Sequence, residues 1–233
     1  MSSTSETRVW RDEVLAIFKK EVLSEFRGKT GLSTGVVFSL STIVTVALAL
    51  FNKNPNKMDL QDVCASLVWI ILLFASLLTL PRSFLVEEEQ GTGDLLRLLA
   101  RPHAVFWGKV IFNLIQMWLL CLLVAVLFIG LTGIVVTEPL VLAACLFSGG
   151  ASLVGAVTLC GAIASRAANR AALAGAISIP LVLFPTQWGV SGLREAFGSV
   201  VATGGNTAAI GLTAYALLSL GIGPWIYAAV WKQ

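Results

Sequence analysis

Six runs of mainly apolar residues, at about 32–51, 62–80, 107–129, 139–164, 171–188 and 207–231, divide the chain. A helix needs roughly 20 such residues to cross a hydrocarbon core of about 30 Å. Each run is long enough, and within lipid a helix satisfies its own backbone hydrogen bonds. Barrel strands would read as short alternating segments instead. The expectation is an all-α membrane protein with six transmembrane helices. Composition agrees: 57% of residues are hydrophobic and 12% charged, against roughly 25% charged in a soluble domain. A formal charge of +3 is too small to point to nucleic acid.

The cations give the topology. With the N-terminus in the cytoplasm, six spans leave Lys53, Lys57 and Arg194 outside and the other thirteen Lys and Arg residues inside, among them Lys29, Lys109, Arg166 and Lys232. That asymmetry follows the positive-inside rule and places both termini in the cytoplasm of a cell inner membrane. The thirty or so residues before the first span are too long and too acidic for a signal peptide, so none is expected. Within them, 8–27 places Trp10, Val14, Ile17, Phe18, Val22 and Phe26 on one helical side, with Glu21 and Glu25 intruding. This predicts an amphipathic helix along the interface, with a solvated helical tail as the alternative.

Inside the spans, Asn113 and Gln116 are three residues apart and share a helical face. Either they make interhelical hydrogen bonds or they line a translocation path. No charge lies mid-span, which argues against a carrier with its own proton relay. The fourth span carries Gly149, Gly150, Gly155 and Gly161 and predicts close helix approach. Pro180, Pro185 and Pro224 favour kinks in the last two spans. The segment GVSGLREAFG, between glycines, predicts a short half-buried cap helix between the fifth and sixth spans, built on Leu193, Ala196 and Phe197.

Chemical motifs are absent. Gly28, Lys29 and Thr30 spell the end of a phosphate loop, but Leu23 stands where its first glycine belongs and no strand precedes it. His103 is the single histidine, and the cysteines Cys64, Cys121, Cys145 and Cys160 form no CxxC pair, so no metal site and no catalytic set are expected. His103 reads as a solvated interfacial side chain, with contact to a cofactor such as haem as the lesser alternative.

Between the second and third spans, 81–104 holds a cluster of Glu87, Glu88 and Glu89, then Gly91 and Gly93, then Leu95, Leu96, Leu98 and Leu99 before Pro102. The leucines give a short helix from Asp94 to Arg101 with an apolar face, and the glycines a bend before it. Exposed leucines beside carboxylates need cover, from headgroups or from another protein.

The interfacial helix, the six spans, the segment FLVEEEQGTGDLLRLLARP and the proline-bearing last spans together resemble a type-2 ABC transporter permease. Over essentially the whole length the chain is similar to the CcmB family of cytochrome c maturation. The resemblance implies one permease domain over 1–233 and a cytoplasmic coupling helix in 81–104. It implies docking of a CcmA-like ATP-binding subunit on Glu87, Glu88, Glu89, Gly91, Leu95, Leu96, Leu98 and Leu99. It also implies CcmC-like, CcmD-like and CcmE-like partners and a second permease copy. ATP would sit on the partner and haem in the complex, with no cofactor held by this chain. The alternatives are an ABC-2 exporter of a lipid or other small molecule, and a non-transporting membrane scaffold.

Overall fold

The structure, a computed structural model, describes residues 3–28, 31–89, 91–164, 169–199 and 204–231. Lys29, Thr30, Arg166 and Lys232, on which parts of the motif and topology readings rest, lie outside the described residues. The described elements are all helical: α1 Ser3–Gly28, α2 Gly31–Leu50, α3 Met58–Thr79, α4 Arg82–Glu89, α5 Gly93–Leu99, α6 Pro102–Thr132, α7 Pro139–Ala164, α8 Arg170–Ala196 and α9 Gly205–Trp231. Six stretches are long and apolar enough to span a membrane: Leu32–Leu50, Asp59–Leu85, Pro102–Thr132, Pro139–Ala164, Ala172–Ala196 and Gly205–Trp231. The count agrees with the sequence reading, and the second stretch runs from α3 into α4.

The small-residue span is the central helix. α7 packs most extensively on α9 and α8 because its glycines remove the side chains that would hold them apart. A Cβ on Gly149 would stand 2.6 Å from the Trp69 ring, and one on Gly161 3.0 Å from Cα of Pro81. Trp69, fully buried, also lies against Gly189 of α8, so one ring fills the space left by glycines on two helices.

The helix ends are closed by their own chain. Pro102 opens α6, where its missing N–H costs nothing, and Gly133 ends it at φ 70°, a left-handed conformation that glycine adopts without a Cβ clash. Glu195 accepts the Gly205 N–H at 2.6 Å and so caps α9. The Thr137 and Glu138 N–H groups donate to the Ala196 carbonyl at 2.9 and 3.2 Å, joining the start of α7 to the end of α8.

One expectation changes. The segment from Gly189 to Ala196 is not a separate cap helix but the continuation of α8. Leu193, Ala196 and Phe197, the apolar residues expected of that helix, are fully buried. The glycines read as turn residues are there because Gly189 meets Trp69 and Gly192 meets the Cys145 sulfur. The apolar side of α1 is covered by protein in part: Val14 and Ile17 are buried while Phe26 is 72% exposed, and a Cβ on Gly108 of α6 would lie 2.7 Å from Ile17.

Candidate functional site

Gly91, at φ 68°, makes the turn between α4 and α5. The Thr92 N–H donates to the Glu87 carbonyl at 2.9 Å and closes the end of α4. α5 is two turns long, and three of its leucines face away from the fold: Leu95 is 58%, Leu98 84% and Leu99 72% exposed. Leu96 is half-buried and packs against the apolar cluster that includes Phe84, Phe106 and Tyr227, anchoring the helix. This is the short amphipathic helix expected from the sequence, starting at Gly93 rather than Asp94.

Glu87 turns inward, 8% exposed; Glu88 and Glu89 complete α4, and their side chains lie outside the described residues. The Glu87 carboxylate meets the Lys109 ammonium of α6 at 3.0 Å and pairs on its other oxygen with Lys20 of α1. Lys109 is fully buried. It donates to Glu21 of α1 at 2.8 Å and to the Ser83 carbonyl, and its ammonium lies 5.1 Å from the centre of the Phe84 ring. Lys20 also reaches Glu21, at 3.5 Å. Two acids and two bases thus join α1, α4 and α6 at the foot of the bundle.

The pairing explains how a lysine can sit with no solvent contact. A buried ammonium is expensive unless it is both paired and hydrogen-bonded, and Lys109 has two carboxylates, a carbonyl and an aromatic face. Burial pushes the Lys20 ammonium below the usual lysine range, the Lys109 cation adds to this, and Glu21 opposes it. The sequence reading used Lys109 only to count loop charges. Its role had a signal: Glu21 and Glu25 interrupt the apolar side of α1 because that side faces the bundle. Glu25 accepts the Leu32 N–H at 2.6 Å and caps α2.

Asn113 is fully buried. Its amide nitrogen lies 3.2 Å from the Leu80 carbonyl, 3.2 Å from Ser83 Oγ and 2.9 Å from Thr158 Oγ1, an interhelical arrangement. Gln116 points elsewhere, into a cavity between α1, α2 and α6. His103 stands edge-on to Trp225 at 5.8 Å, and the four cysteines are buried and free. Among the described residues no group of three His, Cys, Asp or Glu side chains is placed to hold a metal.

Among the described residues, the arrangement leaves an exposed apolar face on α5 and a set of charge pairs leading inward from α4. The family model described as CcmB protein matches residues 12–232. A stretch of 87 residues is 30% identical to Heme exporter protein B of Bradyrhizobium diazoefficiens, covering 37% of this chain and 38% of that relative's length.

Proposed function

Because the chain belongs to the CcmB family, we propose that it is the membrane subunit of an ATP-driven complex that handles haem during cytochrome c maturation. The haem assignment draws on the name of the Bradyrhizobium relative. A CcmA-like ATPase subunit docks on α5, CcmC-like, CcmD-like and CcmE-like proteins complete the assembly with a second permease copy, and 1–233 forms one permease domain. Both termini lie in the cytoplasm, as the thirteen inner cations favour.

The observation that carries this reading is the pair of opposite faces on α5. Leu95, Leu98 and Leu99 are exposed while Leu96 is anchored, so a partner can grip the outer face of a helix fixed to the bundle by its inner one. Movement of α5 passes through Gly91 to α4. There Glu87 is held to both Lys20 and Lys109, so displacement of α4 pulls on α1 and on the start of α6 together. Rigid helices joined by charge pairs transmit a shift without deforming along their length. Nucleotide hydrolysis belongs to the partner, and this chain supplies shape and motion.

The test is a pull-down. The double variant Leu95→Asp, Leu98→Asp alters only exposed positions, so the protein should reach the membrane in normal amount and lose the ATPase subunit. Retention of that subunit would remove the docking role of α5. Loss of c-type cytochromes in a deletion strain separates haem maturation from export of another small molecule, and a scaffold predicts cysteine labelling at Gln116 that ATP leaves unchanged.

A further inference from the structure

The cavity between α1, α2 and α6 has a volume of about 490 Å³, within the roughly 300–1,000 Å³ typical of small-molecule sites. Phe18 and Phe26 of α1, Val36 of α2 and Phe112 and Leu119 of α6 make its walls largely apolar. Gln116 stands out among them. It is 5% exposed, it lines the cavity, and its side-chain amide has no hydrogen-bond partner among the described residues. In hydrocarbon no water replaces that partner, so the amide is aimed at whatever fills the space. Glu25 is the one charged side chain among the described lining residues.

Location restricts the occupant. Counting back roughly 20 residues, about 30 Å of helix, from Thr132 puts the edge of the hydrocarbon near Phe112 and Gln116 about one turn inside it. Phe26, Ile115 and Leu119 around the cavity are 72%, 42% and 53% exposed, so the space opens toward lipid. A molecule entering there comes from the bilayer.

We propose that the cavity binds a membrane phospholipid with a primary ammonium headgroup, of the phosphatidylethanolamine class. One acyl chain lies against Phe18, Phe26 and Phe112, the Gln116 amide N–H donates to an ester carbonyl, and the Glu25 carboxylate attracts the ammonium. An anionic headgroup would meet the Glu25 charge unfavourably. A neutral quinone would satisfy Gln116 but leave Glu25 without a counter-charge.

Native mass spectrometry of the full chain, titrated with phosphatidylethanolamine, phosphatidylcholine and phosphatidylglycerol of identical acyl chains, tests the site. Phosphatidylethanolamine should be retained about tenfold better than phosphatidylglycerol, the scale of one charge-assisted contact. Glu25→Gln keeps an acceptor for the Leu32 N–H and should erase the preference over phosphatidylglycerol. Gln116→Leu should lower retention of both zwitterionic lipids severalfold, and Val36→Trp, which fills the space, should abolish it. Equal retention of the three lipids by the wild type, selective retention of a quinone, or unchanged phosphatidylethanolamine binding in a folded Val36→Trp chain would each overturn the proposal.

Discussion

Replacing Lys109 by Met tests whether the charge network at the foot of the bundle holds it together. Lys109 is fully buried, and Glu21 and Glu87 are each 8% exposed, so the substitution strands two carboxylates that solvent barely reaches. Among the described residues Lys20 is the cation left to compensate them, and its side chain is 45% exposed. Removing one member of a buried ion set costs about 3–5 kcal/mol. At roughly 2–4 °C per kcal/mol for a chain of this size, the apparent melting temperature should fall by about 6–20 °C. The assay is thermal unfolding in detergent followed by tryptophan fluorescence. The triple variant Lys109→Met, Glu21→Gln, Glu87→Gln is the decisive partner, since neutralising a whole buried set is often close to neutral in stability. It should recover most of the loss. A single variant that melts within about 1 °C of wild type, or a triple variant no better than the single, would refute the reasoning that charge burial rather than side-chain volume governs this site.

Lys20 carries a pH signature. Its pKa is lowered by burial first and by Lys109 second, so at alkaline pH the folded chain binds fewer protons there than the unfolded one. This lysine therefore weighs against stability below its folded pKa, and the penalty fades as pH rises through the unfolded value near 10.4. Amine acylation of Lys20 should show a midpoint below that of a free lysine, shifted up in Lys109→Met and further down in Glu21→Gln, as mass-spectrometric labelling between pH 8 and 11 would reveal; a midpoint unmoved by both would discard the assignment. Gly189→Ala should destabilise by about 1–3 kcal/mol through overpacking, because a Cβ there meets the Trp69 ring; Trp69→Leu in the same chain should give part of that back in a melting curve.

Long elements were readable because a membrane imposes length: all six spans are visible as continuous apolar runs, whatever face each presents. The close approach of α7 was equally plain, since only small residues permit it. What escaped was tertiary in origin. Gly189 and Gly192 carry the signature of a turn, yet their smallness serves Trp69 and Cys145 while the helix continues. Lys109 reads as a loop cation because sequence shows charge and not partner, and its partners lie 22 and 88 residues earlier in the chain. Glu21 was the exception, a charge on the wrong side of an amphipathic helix and so a clue that the helix has protein against it. α5 was legible in full because its leucines, its glycine and the following proline are all local signals.

Both acids that hold Lys109 leave the ribosome before it does. Until α6 begins to emerge, Glu21 and Glu87 share, among the described residues, the single cation Lys20, one positive charge against two negative. The arrival of one lysine brings the set to neutrality. In the order of synthesis, the charges at the foot of the bundle are therefore balanced only once the third span has been made.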